Sequence, residues 1–146
     1  MTEDFKPYID RLRNSGLRPT KQRLAICKLL FDRKDTFHFT IENLKETIEK
    51  NKKYKISLAT LYNTINAFKE NGYLKEIFLK GNKNFFDTNT KDHHHFYDED
   101  SGDLSDIDDK NIQIGKISNI PTGKIIKKVE VTVRLASDNH NHKKNK

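Results

Sequence analysis

Asp92-His93-His94-His95 brings three imidazoles and a carboxylate together in four consecutive residues. On an extended strand successive side chains alternate, so His93 and His95 share one face and His94 takes the other. Two imidazoles on one side are half of a tetrahedral or octahedral site for a first-row divalent ion. Asp87 lies just upstream, and His38 falls between two helical segments, from which it can approach across a domain junction. The set His38, Asp87, His93 and His95 suits iron, manganese or zinc and does not choose among them. Imidazole also ligates haem iron, so haem held by His93, His94 and His95 is a second chemistry open to the cluster. The plain alternative is a group of surface histidines titrating near neutrality.

Other chemistries are poorly served. The single cysteine, Cys27, excludes a disulfide framework and any Cys-x-x-Cys site, and so a structural four-cysteine zinc. Its place on the apolar face of a helix marks it as a core residue rather than a nucleophile. No Ser/His/Asp order, phosphate-cradling glycine loop or paired carboxylate motif stands out. A zinc hydrolase with Asp98 or Glu99 as general base is the weaker, enzymatic alternative, and the expectation is that the chain is not an enzyme. With no apolar run near about 18 residues and no leader pattern, a soluble, cytoplasmic protein without a membrane partner is expected.

The elements that must position these residues follow from periodicity. Phe5, Ile9 and Leu12 recur at helical spacing and Gly16 ends the pattern. Pro19 suits the first position of a second helix, with Leu24, Cys27, Leu30 and Phe31 on one face. Thr40 is an N-cap for a third helix with Ile41, Leu44 and Ile48 inward. Ser57 caps a fourth, whose Leu58, Leu61, Ile65 and Phe68 form its apolar stripe and which Asn71-Gly72 stops. Residues 74–79 and 83–88 then read as a β-hairpin across Lys80-Gly81-Asn82. Helices followed by a hairpin is the order of a winged helix-turn-helix, assigned to residues 1–90.

Residues 91–137 predict a small α/β unit. Strands flank the turn Asp100-Ser101-Gly102, a short helix or irregular segment covers 109–117, and 129–135 alternates as a half-buried strand. About 45 residues build little core alone, so pairing with a second copy is expected. Residues 138–146 form a polar tail. The fold class is α+β: an N-terminal winged-helix DNA-binding domain and a C-terminal α/β dimerisation and sensing domain.

Charge supports a nucleic-acid partner for the first part. Residues 1–90 carry 18 Lys/Arg against 11 Asp/Glu, whereas 91–146 carry 10 of each. A basic lobe joined to an acidic, His-bearing stretch between Asp92 and Asp109 suggests separate polyanion and cation partners. The fourth helix would lie in the major groove. Opposite its apolar stripe stand Ala59, Thr60, Asn63 and Asn66, with Tyr62 and Thr64 at the borders; methyls can touch thymine and Asn can pair with adenine. Arg18, Lys21, Arg23, Lys52 and Lys53, with Ser57 at the helix start, are candidate DNA contacts, and Lys80 and Lys83 sit at the wing tip. The rival is a metal- or haem-binding buffer protein whose basic face is incidental.

Gly16-Leu17-Arg18-Pro19-Thr20-Lys21-Gln22-Arg23, the segment Ser57-Leu58-Ala59-Thr60-Leu61-Tyr62-Asn63-Thr64 and the triple histidine together resemble the ferric uptake regulator family, essentially to Leu135. His93-His94-His95-Phe96-Tyr97, Gly102-Asp103-Leu104 and the ending at 129–135 are most similar to its iron response regulator branch. The resemblance implies a homodimeric regulator of iron-related genes that binds a pseudo-palindromic operator in double-stranded DNA. It implies Tyr62 and Asn63 in the groove, a regulatory metal at His38, Asp87, His93 and His95, and haem at His93, His94 and His95. In that branch the ligand is expected to weaken DNA binding. The structural-zinc cysteine pairs of many members are absent, Gln113 stands near a usual second-site carboxylate, and no Cys-Pro haem motif opens the chain.

Overall fold

The computed structural model describes residues 4–52, 55–79 and 84–139, of which Lys52 by its backbone alone. They divide into two compact units, one ending at Thr90 and the other beginning at Lys91. The first contains helices α1 (Lys6–Asn14), α2 (Lys21–Phe31), α3 (Ile41–Lys52) and α4 (Leu58–Glu70), with strands β1 (His38–Phe39), β2 (Lys75–Phe78) and β3 (Asn84–Asp87). The second contains β4 (His94–Asp98), β5 (Leu104–Ile107) and β6 (Thr132–Leu135), plus one 3-10 turn at Asp109–Asn111.

Local chemistry sets the helix ends. After α1, Gly16 takes φ +75° and the Leu17 amide returns to the Leu12 carbonyl at 2.8 Å; after α4, Gly72 at φ +82° lets Tyr73 return to Phe68 at 2.9 Å. Both closures satisfy carbonyls the helix leaves open, in a backbone region where glycine carries no Cβ penalty. The Thr40 and Ser57 hydroxyls accept from the Asn43 and Thr60 amides at 3.1 and 3.3 Å, as the sequence predicts. For α2 the cap is Thr20, whose hydroxyl accepts from the Arg23 amide at 3.2 Å. Pro19 therefore lies before the cap and not inside the helix, because only the hydroxyl can satisfy an open N–H there.

The four helices enclose one core: Leu12, Ile26, Leu30, Leu44, Ile48, Leu61, Ile65 and Phe68, closed by Phe39 and Phe86 from the strands. The stripe on α4 is displaced from the expected one. Leu58 is 47% exposed, whereas Thr64, expected at the border of the groove-facing side, is fully buried. Its hydroxyl donates to the Thr60 carbonyl at 2.7 Å, so it enters the core with its polar atom satisfied. Cys27 is also fully buried, and burial pushes its thiol up to about 12 against a smaller opposing pull from Arg11. The native thiol therefore stays protonated at pH 8. Its alkylation by iodoacetamide is expected to be roughly a hundredfold or more slower than in denaturant; equal rates would place it outside the core.

The first sheet runs β1-β3-β2, all antiparallel; the second runs β5-β4-β6, with β4 antiparallel to β5 and parallel to β6. The Asp98 carboxylate accepts from the Ser101 and Asp100 amides at 3.2 and 2.9 Å, which hold its pKa below the usual range and clamp the β4–β5 turn. The two-residue β1 was not expected, being too short to show a period of two. The helix considered at 109–117 is only the 3-10 turn, and 112–131 is irregular. Val129, Val131 and Val133 are half-buried between exposed neighbours, as predicted, but Leu135 is 38% exposed. Among the described residues no helix is long and apolar enough to cross a membrane.

Candidate metal centre and nucleic-acid interface

Strand register places each half of the histidine–carboxylate set. In the first unit His38 on β1 stands opposite Asp87 on β3. The His38 Nε2 is 3.1 Å from Asp87 Oδ2, and Asp87 Oδ1 accepts from the Asn89 amide at 2.8 Å. The Asp87 side chain is fully buried, so its charge is held by these partners rather than by water.

In the second unit His93, one residue ahead of β4, and His95 within it are both buried, their rings edge to face at 4.2 Å. Asp106 on β5 stands opposite His95. Its Oδ1 lies 3.2 Å from His93 Nε2 and 3.3 Å from His95 Nε2, and the ligand atoms of the three residues lie within 4.8 Å of one another. His93 Nδ1 is 2.6 Å from the Lys91 carbonyl. A carbonyl can only accept, so Nδ1 carries a proton in this contact, which turns Nε2 toward Asp106. With Nε2 deprotonated, His93 would offer its lone pair to a cation seated beside the Asp106 carboxylate. Two imidazoles and a carboxylate so arranged fit a divalent ion of the manganese, iron or zinc class.

Asp106 was missed by sequence reasoning. The signal was present: once the turn at Asp100-Ser101-Gly102 is taken as the hairpin centre, counting outward pairs 95 with 106. His94 corrects the haem set. It lies on the other side of β4, where its Nδ1 accepts the Val131 amide at 2.8 Å. The three histidines therefore do not present one common face.

On α4, Ala59, Tyr62, Asn63 and Asn66 are exposed and Thr60 half-buried, a continuous side free of core contacts. Tyr62 is 45% exposed. Ser57 serves first as the helix cap. Arg18 and Lys21 are exposed, while Arg23 is half-buried and donates from Nη1 to the Arg18 carbonyl at 2.9 Å, bracing the loop before α2. Lys52 ends α3; Lys53, Lys80, Lys83, His140 and His142 lie outside the described residues.

Residues 14–136 match the ferric uptake regulator family. The chain belongs to that family. It is 32% identical over 104 residues to the peroxide operon regulator of Bacillus subtilis (strain 168), covering 71% of this chain and 70% of that one. It is 35% identical over 104 residues to the peroxide-responsive repressor PerR of Staphylococcus epidermidis, covering 71% and 67%. Its fold is similar to the crystal structure of the Vibrio cholerae ferric uptake regulator, with a TM-score of 0.66 at 21% identity over 88% of this chain and 98% of that one. The α+β architecture with a winged-helix first unit is thereby that of the family, whose members compared here are transcriptional regulators and not enzymes. Both sequence relatives are peroxide regulators, so these likenesses do not support the iron response regulator branch.

Proposed function

We propose that the chain is a cytoplasmic, homodimeric regulator that binds operator DNA through α4 and responds to a divalent ion held by His93, His95 and Asp106. The cluster of His93, His95 and Asp106, with His93 Nε2 directed at the carboxylate, carries this reading. Bound there, the ion would supply positive charge between the two imidazoles and the carboxylate. His38 and Asp87 belong to the unit that carries α4, and only residues 88–92 separate Asp87 from His93. An ion at His93 and His95 thus acts one short segment away from the unit that carries the reading helix, and its occupancy is expected to change affinity for paired half-sites.

Iron or manganese supply is the first signal this donor set suits. Peroxide is a second reading, favoured by the two relatives at 32% and 35% identity. Ferrous iron on nitrogen and oxygen ligands reduces hydrogen peroxide, whereas manganous ion resists that oxidation. Haem would have to use His93 and His95 without His94.

The test is fluorescence anisotropy on a promoter fragment and a scrambled duplex, with chelator, manganese, anaerobic ferrous iron, zinc or haem. A metal-dependent change of about tenfold or more in specific affinity supports the proposal; no preference for the promoter under any condition refutes it in favour of a buffer protein. Loss of operator binding on peroxide addition in the ferrous form alone selects the peroxide reading. Tyr62→Ala is expected to weaken promoter binding by about tenfold while leaving scrambled-duplex binding within about twofold. Equal losses on both duplexes would remove Tyr62 from base recognition.

A further inference from the structure

The first unit contains a cleft of about 330 Å³ that neither the metal site nor α4 uses. It lies where Arg11 of α1, the end of α2 and its following loop, the turn after α4 and the exit of β3 come together. We propose that it binds a small organic polyanion bearing carboxylate or phosphate groups.

Two guanidiniums are held ready for such a ligand. Arg11 lies over the Phe31 ring at 4.0 Å and the Tyr73 ring at 4.8 Å, and Arg33 over the Phe37 ring at 4.0 Å. The rings anchor these groups through their central carbons, and guanidinium N–H donors suit the paired oxygens of a carboxylate or phosphate. Among the described residues neither guanidinium, nor the Lys34 ammonium beside them, makes a hydrogen bond or ion pair. Thr88 Oγ1 accepts the Phe37 amide at 2.9 Å, so its own O–H remains to donate into the cleft. Against three cations the lining holds one carboxylate, Asp35.

The ligand class follows from the rest of the wall. Phe31 and Tyr73 present apolar surface that a bare inorganic ion would leave unused and a carbon skeleton would cover. None of Arg18, Lys21, Tyr62 or Asn63 lines the cleft, which separates it from the surface assigned to duplex DNA.

The experiment is an amide-resolved NMR titration of the metal-free 146-residue chain at fixed ionic strength with tricarballylate, glycerol 3-phosphate or inorganic phosphate. Saturable shifts centred on Gly72, Thr88 and Thr90 are expected, with an organic anion binding about tenfold tighter than inorganic phosphate. The tighter of the two organic probes assigns the headgroup. Arg33→Gln should weaken binding about tenfold through loss of a charge-assisted contact. Asp35→Asn should tighten it several-fold, a gain that misfolding cannot imitate. Shifts that fail to saturate, equal affinity for inorganic phosphate, or affinities unchanged in both variants overturn the proposal. So does displacement of the anion by a short duplex, which would give the cleft to nucleic-acid phosphate.

Discussion

Replacing His93 and His95 together by alanine is expected to lower divalent-ion affinity by on the order of a thousandfold and to abolish metal-dependent operator binding. Groups that merely orient a ligand are worth about 10- to 100-fold; removing two ligands that converge on one carboxylate must exceed that. Asp106→Asn, which keeps the shape and removes the charge, is expected to lose about a hundredfold, at the upper end of the orienting-group range. His94→Ala is the informative control. Its ring lies across β4 and binds the Val131 amide, so ion affinity should stay within about threefold of the parent. Competition against a fluorescent chelator reads all three variants. The helical circular dichroism should be retained, because the helical core draws on none of these residues. Undiminished affinity in the double variant would remove the site, and a large loss in His94→Ala would remove its one-sided geometry.

Much of this was legible before any coordinates. Thr40, Ser57, Gly16 and Gly72 act where they were read, because caps and left-handed closures depend on one or two residues and their immediate backbone. The alternation of His93, His94 and His95 was legible for the same reason. The misreadings are tertiary. Leu58 and Thr64 exchange roles because the neighbours packed against α4, and not its own period, decide where the core ends. Asp106 was hidden because its partnership with His95 crosses strands, so it needed a register as well as a pattern. β1 was invisible at two residues, yet it is what sets His38 opposite Asp87. Pro19 lies two positions before the first helical residue for which it is read, since proline tolerance at a helix start is a permission whereas the Thr20 hydroxyl is a bond.

Phe68→Ala is expected to destabilise the first unit by about 3–5 kcal/mol. A domain of this kind is stable by about 5–15 kcal/mol in total, so the loss brings it close to unfolding. Phe68 is fully buried on α4 and meets Phe31 edge-on at 5.5 Å and Tyr73 at 6.1 Å. Truncation therefore opens a cavity beside two rings, both of which also support Arg11. The matched control is Phe78→Ala at the end of β2. With 73% of its surface exposed, Phe78 has little burial to lose, and the change should stay within about 0.5 kcal/mol. Urea denaturation followed by circular dichroism compares the two, and equal midpoints would refute the packing assigned to α4. Operator binding adds a second reading of the same helix. Phe68→Leu keeps most of the volume and should cost less than about 1.5 kcal/mol, leaving the α4 surface folded. If that variant lost promoter binding while remaining folded, the orientation of α4 within its core would itself be a determinant of recognition, beyond the identity of Tyr62 and Asn63.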